Sequence, residues 1–324
     1  MSPAQSVSET TDTSAATVRQ RVRDFLAKPI PGKYLGIARR VHRAWPRMPI
    51  PLRLPFGAWW LAEGSALDQE LMQNGFEGAE MRFTERVLRP GMTVLDIGAH
   101  HGLYTLLASK RVGAVGRVIA FEPSGRERKR LIRHVWVNRC ANVSVERMAL
   151  GDCAGEAGLF VVEGQQDWCN SLRAPAVEGR TQTIRVEVRT LDEVLERLGI
   201  SSVDFIKLDV EGAELSFLRG ASALLRSEWR PAILAEVQDM RTEPWGYAAR
   251  EIVGYLKNAE YRWFGITADG SLRHVSTNER WYDANLVALP EERMACFESL
   301  FVEEDALRRT IEFHSAKSRI SGDR

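Results

Sequence analysis

Only four cysteines, Cys140, Cys153, Cys169 and Cys296, occur in the 324 residues of this chain, and no two form a C-x-x-C pair. That scarcity withholds support from a zinc site or a dithiol redox motif, and predicts reduced thiols in a cytoplasmic protein. Net charge is also nearly absent. Lys and Arg number 44 against 43 Asp and Glu, a formal balance of +1. The overall basic excess of a dedicated nucleic-acid binder is missing, so no nucleic-acid partner is expected. No uninterrupted apolar run approaches the roughly 18 residues of a membrane-spanning helix, which predicts no membrane insertion. The opening MSPAQSVSETTDTSAAT lacks the apolar segment of a secretory signal.

Hydrophobic residues make up 44% of the chain, enough for a sizeable core. Four regions are expected. Residues 1–17, rich in Ser, Thr and Ala, read as a disordered tail. Residues 18–75 read as an N-terminal arm with a short helix over 18–28. Its proline-rich stretches, KPIPGK and WPRMPIPLRLPFGAWW, cannot run as one helix, so an extended segment is expected, with Trp45, Trp59 and Trp60 in need of cover. Residues 76–290 carry the regular pattern, and 291–324 read as a peripheral helix with a frayed tail.

The regular region alternates strands and helices. TVLDI, GRVIAFE and NVSVERM read as strands, separated by helices GLYTLLASKRV and SGRERKRLIRHVWVNRC. In the second of these helices Ser124 and Glu127 have capping-box spacing, and Leu131, Ile132, Val135 and Trp136 are expected to face the sheet with the basic residues outward. EAGLFVVE and TIRVEVR alternate with period two and read as an inserted β-hairpin around a long polar loop. Helix TLDEVLERLG, with Thr190 and Glu193 at capping-box spacing, then strand VDFIKLDV and strand PAILAEV resume the pattern, and YRWFGI and DANLVALP close it. The fold class expected is α/β: a Rossmann-like, doubly wound, mostly parallel seven-stranded sheet with helices on both faces.

In such sheets ligands sit beyond the carboxyl ends of the strands, so the first strand-to-helix loop faces the site. Here it reads Asp96-x-Gly98-x-x-x-Gly102. A dinucleotide loop wants G-x-G-x-x-G, which lets backbone N–H groups approach a pyrophosphate. This loop has other glycine spacing, and Asp96 would repel a diphosphate. The same carboxylate suits a cationic ligand such as S-adenosylmethionine, which carries an ammonium and a sulfonium. Gly98 allows close backbone approach, and the helix beginning near Gly102 favours the ligand's carboxylate. The second strand ends in Glu122-Pro123, where a carboxylate can accept hydrogen bonds from ribose hydroxyls. An NAD-dependent oxidoreductase is the competing reading, opposed by the glycine spacing.

The segments GMTVLDIGAHHGLYTLLAS, GRVIAFEPS, MALGD and VDFIKLDVEGAELSFLRGA together resemble the FkbM-type S-adenosylmethionine-dependent methyltransferases, over Phe76 to Pro290. The resemblance implies a Rossmann-like sheet and methylation of hydroxyl groups on polyketide-type molecules and sugars. It places Asp96, Gly98, Ala99, His100, Gly102, Glu122 and Pro123 at cofactor positions, and Asp152 where such folds contact adenine. The family loop usually has Asn where this chain has His100.

Aliphatic hydroxyls are poor nucleophiles at neutral pH, so a general base is expected. Phe205, Lys207 and Asp209 share one face of their strand by alternation. Asp209 and Glu211 follow at its carboxyl end and are the candidate catalytic groups, with His101 a third. A buried Lys207 needs a charge partner, either Asp209 or Asp96. Trp168 and Asn170 in the polar loop QQDWCNSL, with Asp167 and Ser171 beside them, and Glu236 at the end of the next strand, are candidates for holding substrate. Asp209, Glu211 and Glu236 could also gather Mg²⁺; the reading without a metal is favoured, with Asp209 pairing with Lys207 and Glu211 capping the next helix. Adjacent histidines at a tight turn chelate poorly, so His100 and His101 are not expected to be metal ligands. The function expected is O-methylation of a small-molecule or glycan acceptor, with N-methylation and a non-catalytic cofactor-binding partner as alternatives. DNA adenine and cytosine methylation are disfavoured, because an Asx-Pro-Pro-aromatic segment after strand four and a Pro-Cys nucleophile are lacking. A homodimer is left open.

Overall fold

A computed structural model describes residues 49–302, except 74, 165, 167 and 176–179. The tail at 1–17, the helix at 18–28, KPIPGK, Trp45, Asp167 and the terminal helix and tail beyond 302 lie outside the described residues. The chain divides into two units at Gly64–Ser65.

In the first unit, β1 (Ile50–Arg53) and β2 (Trp59–Ala62) form an antiparallel hairpin. The extended arm expected here instead folds back on itself. Gly57, at φ +86°, donates its N–H to the Leu54 carbonyl at 2.9 Å, and the Leu54 N–H bonds the Ala58 carbonyl at 2.9 Å. Pro55 presets one turn dihedral and Gly57 adopts the left-handed one without a Cβ penalty. Trp60 is buried and Trp59 partly so.

The second unit opens with α1 (Ala66–Gln73) and α2 (Gly78–Val87). There follow β3 (Thr93–Ile97), α3 (Leu103–Val112), β4 (Arg117–Phe121), α4 (Gly125–Val137) and β5 (Val143–Glu146). The expected hairpin is present as β7 (Gly155–Val162) and β8 (Thr181–Arg189), joined by β6 (Ala149–Leu150) into a separate three-stranded sheet. Next come α5 (Leu191–Leu198), β9 (Phe205–Leu208), α6 (Glu214–Gly220) and β10 (Ala232–Gln238). The unit continues with α7 (Asp239–Thr242), α8 (Arg250–Asn258), β11 (Tyr261–Ile266), β12 (Leu272–His274) and β13 (Asp283–Pro290), and a 3₁₀ helix over Glu291–Leu300 follows. Among the described residues no helix is long and apolar enough to cross a membrane.

The main sheet has the order β12-β11-β13-β10-β9-β3-β4-β5. Strands β10, β9, β3, β4 and β5 are parallel neighbours, and β13 runs antiparallel between β10 and β11. This is the doubly wound α/β fold, with the seven expected strands and an eighth, β12, added antiparallel at the edge. The chain enters at β3, winds outward through β4 and β5, then returns to β9 on the other side. The direction of winding reverses between β3 and β9, and a crevice opens beyond the carboxyl ends of such a pair. Both faces of the sheet are covered. Leu95, Ile97, Ile119, Phe121, Ile206 and Leu208 belong to one core cluster, while Val94, Val118, Phe205 and Leu234 belong to another. Alternate residues of each central strand therefore serve opposite cores.

One expected cap forms and one does not. Thr190 and Glu193 exchange side-chain-to-backbone bonds at 3.2 and 3.3 Å at the start of α5. At α4, Glu127 instead takes the Ser124 hydroxyl, and the Ser124 N–H goes to Glu122 Oε1 at 2.8 Å. The packing of α4 also differs from expectation. Its buried residues are Glu127, Leu131 and His134, whereas Ile132 and Trp136 are 50% and 76% exposed. Two polar side chains occupy the inner stripe because each has a partner there: Glu127 binds Ser124, and His134 Nδ1 lies 2.8 Å from the His101 carbonyl. The basic residues are not uniformly outward either, since Arg130 pairs with the buried Asp68 at 2.9 Å.

Candidate active site

The loop after β3 is built on backbone conformations that few residues accept. Gly98 has φ +82°, and a Cβ placed there would lie 1.8 Å from the Asp209 carbonyl oxygen. The missing side chain lets the β3 loop and the end of β9 touch. The amides of Gly98 and Ala99 both bond the Phe121 carbonyl, at 3.1 and 3.0 Å, which ties the loop to the end of β4. His100 has φ +49° and donates its N–H to Glu122 Oε2 at 2.7 Å. Asn and His both enter the left-handed region more readily than most residues, a physical reason for either at this position. Gly102, also at positive φ, is not on the cavity wall. Its Cβ would meet Leu131 Cδ1 at 2.3 Å, so this glycine serves the packing of α3 on α4 rather than a ligand.

A cavity of about 300 Å³ opens at the β3/β9 reversal, at the lower end of the size range of small-molecule sites. Of the residues singled out from the sequence, it brings together Asp96, Gly98, Ala99, His100, His101, Glu122, Pro123, Trp168, Asn170, Asp209, Glu211 and Glu236. Asp152 does not join them. It is exposed outside the cavity lining, its amide bonded to Ser216 Oγ at 3.1 Å. The wall around the strand ends is instead apolar, with Met148, Leu150 and Leu159.

Two buried carboxylates stand at one end of the cavity. Asp96 is 3% exposed and accepts from the Thr105 hydroxyl. Burial pushes its pKa up to about 6, against the pull of Thr105 and Lys207. Glu122, 5% exposed, accepts from the amides of His100 and Ser124. Burial, aided by the Glu127 carboxylate, pushes it up to about 8. His101 stacks on His100 with ring centroids 3.7 Å apart. Burial holds His101 far below the ordinary imidazole range, with the neighbouring His100 and Arg130 adding to the effect. A ring so held favours its neutral form, which suits hydrogen bonding over proton uptake.

The other end is a charge network. Lys207, almost fully buried, pairs with Asp209 at 2.9 Å, the arrangement expected from their alternation. Its pairing register sets it opposite Asp96 on β3. Burial opposes the Lys207 charge, but Asp209 and Glu77 hold its ammonium above the ordinary lysine value. Glu211, at φ +54°, pairs with Arg241 at 2.9 Å and does not cap α6. Glu214, the first residue of α6, holds the turn before the helix by accepting from the amides of Val210 and Gly212 at 3.0 and 3.3 Å, and α6 has no side-chain cap. Glu236 completes the set. One carboxylate oxygen from each of Asp209, Glu211 and Glu236 lies within 4.8 Å of the other two. A divalent ion here would compete with Lys207 and Arg241 for two of the three ligands.

Glu77 and Arg241 were not anticipated. Glu77 stands before α2 at φ +46°, accepts from Tyr104 Oη at 2.5 Å and from Asn285 Nδ2 at 3.2 Å, and lines the cavity. Nothing local in EGAEMRF or DMRTEPW marks these residues as parts of a site; their positions depend on the fold. Among the described residues, three of the five non-glycine residues with positive φ, Glu77, His100 and Glu211, border this one cavity, and such backbone strain clusters at functional sites. Trp168 lines the wall, while the Asn170 side-chain oxygen is already used by the Val162 amide at 2.9 Å. Ser171 anchors the same loop by donating its hydroxyl to the Glu211 carbonyl at 2.8 Å.

The model of the methyltransferase FkbM domain matches residues 96–263, more than half of the chain, and the chain belongs to that family. Among individual relatives, the AMB antimetabolite synthetase AmbE of Pseudomonas aeruginosa is 28% identical over 188 residues, which is 48% of this chain and 9% of that protein. Ribosomal RNA large subunit methyltransferase E of Nitrobacter winogradskyi is 50% identical over 50 residues, 14% of this chain and 22% of that one. The crystal structure of methyltransferase FkbM from Methylobacillus flagellatus KT aligns at 18% identity and a TM-score of 0.38, over 69% of this chain and 53% of that one. The chain thus spans less than a quarter of these two curated relatives and about half of that structure.

Proposed function

We propose that this protein transfers a methyl group from S-adenosylmethionine to a hydroxyl of a small-molecule or sugar acceptor. The observation that carries the reading is one cavity in which Asp96 and Glu122 face Asp209, Glu211 and Glu236 across the β3/β9 reversal. The residues suit the donor. Asp96 is a buried carboxylate whose charge an ammonium or sulfonium would stabilise. Gly98 and Ala99 bring bare backbone close, and Glu122 is held by two amides with acceptor capacity left for ribose hydroxyls. Pro123 and the apolar residues beside it would border the adenosine. When bound, the donor supplies the electrophilic methyl; the protein aligns the acceptor and takes its proton.

Trp168 is assigned to the acceptor, since an indole face suits an apolar or sugar ring. Asn170 keeps its amide N–H groups for the same purpose. Lys207 and Arg241 already balance two of the three clustered carboxylates, so the proposal uses no metal. Neither a nucleic-acid nor a membrane partner is part of it, and a reducing, cytoplasmic setting agrees with four free cysteines.

The test is calorimetry with S-adenosylmethionine and with NAD, followed by detection of S-adenosylhomocysteine formed with hydroxylated acceptors. Binding of the methyl donor alone, and acceptor-dependent product, is the expected result. Uptake of NAD in place of the donor would overturn the reading. Replacing Trp168 by Ala is expected to raise the acceptor KM about tenfold while sparing donor affinity, about 1.4 kcal/mol of acceptor binding; the reverse pattern would assign Trp168 to the cofactor.

A further inference from the structure

The three carboxylates at the acceptor end are not equivalent. Asp209 is held by the Lys207 ammonium and Glu211 by the Arg241 guanidinium, each at 2.9 Å. The oxygen that each presents to its cation is already occupied, and a proton arriving there would have to displace the cation. Glu236 is different. Its Oε2 is a buried atom with no hydrogen-bond partner, and the side chain lines the cavity. A buried oxygen left without a donor costs free energy unless something brings a proton to it. Glu236 sits at the carboxyl end of β10, next to Asp209 and Glu211 and facing Asn285 on β13.

The geometry points to Glu236 as the catalytic residue that accepts the proton of the acceptor hydroxyl, with Asp209 and Glu211 as positioning residues locked by Lys207 and Arg241. This rests on the methyl-transfer reading. In the step, the acceptor oxygen forms its bond to the methyl carbon and the carbon–sulfur bond breaks. The electron pair of that bond stays with sulfur, and the hydroxyl proton passes to Glu236 Oε2. The sulfonium charge is consumed as the carboxylate charge is neutralised, so the site gains no net charge. The groups facing Glu236 are Asp209, Glu211, Glu214, Lys207, Arg241 and Cys169. Burial, then the Asp209 and Glu211 charges, hold its carboxyl well above the usual carboxylate range. A base so placed retains a proton readily once it has taken one.

The experiment compares the full chain with its Glu236→Gln, Glu236→Asp and Asp209→Asn variants. Release of S-adenosylhomocysteine is followed from pH 5.5 to 9 over a panel of polyol, sugar and phenol acceptors. Glu236→Gln is expected to lose about 100-fold in kcat or more, and with it the rising acid limb of the pH profile, at unchanged affinity for S-adenosylhomocysteine. Glu236→Asp is expected to retain part of the rate and the limb. A second readout needs no acceptor: the carboxyl carbon resonance of Glu236, labelled with carbon-13 and identified by its loss in Glu236→Asp, is expected to titrate above the ordinary glutamate range. The assignment is overturned if Glu236→Gln keeps kcat within about threefold, if the limb disappears in Asp209→Asn instead, or if the resonance titrates like an exposed glutamate. Failure of the methyl-transfer reading shows up separately, as absence of donor binding in calorimetry.

Discussion

Asp96 combines two demands that pull against each other. It is buried, which favours the neutral acid, yet the role proposed for it with the methyl donor needs its charge. The Thr105 hydroxyl and the Lys207 ammonium limit the rise to about 6, so the group is ionised at neutral pH and still gains from a cation. The near-isosteric change Asp96→Asn is expected to weaken binding of S-adenosylmethionine by about 10- to 100-fold, or ~1.4 to 2.8 kcal/mol, read by calorimetry. Unchanged affinity would detach Asp96 from the cofactor. The pH dependence follows with a definite sign. A cation binds the ionised carboxylate, and Asp96 and Glu122 ionise at about 6 and about 8. Donor affinity is therefore expected to rise between pH 5 and 8, with proton release on binding. Calorimetry in buffers of different ionisation enthalpy measures that release. At this scale Asp96, Glu122 and Asp209 were legible in the sequence because each sits at the end of a strand. The polarity of Lys207 was legible too, since an apolar strand leaves a cation nowhere else to find a partner.

The elements are held in place by a few close backbone approaches. Gly98 allows β3 and β9 to meet, and any side chain there would collide with a backbone oxygen 1.8 Å away that cannot yield. Gly98→Ala is expected to cost about 3 kcal/mol or more in denaturant unfolding, combining left-handed strain with the clash. Gly199 provides the comparison: it is left-handed at φ +63° and ψ +35° with nothing within 4 Å of its Cβ position, so Gly199→Ala is expected to cost only about 1 kcal/mol. Equal costs would show that dihedral strain, and not the contact, governs Gly98. At α5, Thr190→Ala removes half of a formed capping box and is expected to cost about 1 kcal/mol, checked by the denaturant midpoint. The α4 box failed for a physical reason that spacing does not carry. Glu122, brought to the helix entrance by β4, reaches the Ser124 amide first.

Taken as a whole, the molecule concentrates buried acid at one end of its sheet. Burial is the leading cause in raising Asp96 to about 6, Glu214 to about 7, and Glu122 and Glu211 to about 8. Each of these carboxyls holds its proton in the folded state at pH values where the unfolded chain has released it. The stability they contribute is fully present below the ordinary carboxylate pKa of about 4 and is lost as pH rises through 6 to 8. The melting temperature of the unliganded protein is expected to fall between pH 5 and 8.5. S-adenosylmethionine is expected to reduce that fall, because it binds the ionised form. A flat profile in differential scanning calorimetry would contradict the burial of these groups.

The sequence by itself determined the alternation of strands and helices, the loops that follow β3 and β4, and the family. Those features are local: a run of β-branched residues, a glycine at a forced turn, an acid at a strand end. Only the tertiary structure decided which charges share the cavity. Glu77 and Arg241 come from segments far apart in the chain, and both line the cavity at the β3/β9 reversal. It also decided the buried stripe of α4, where bonds to Ser124 and to the His101 carbonyl outweighed the hydrophobicity of Ile132 and Trp136. Partners drawn from distant elements leave no spacing in the sequence to read.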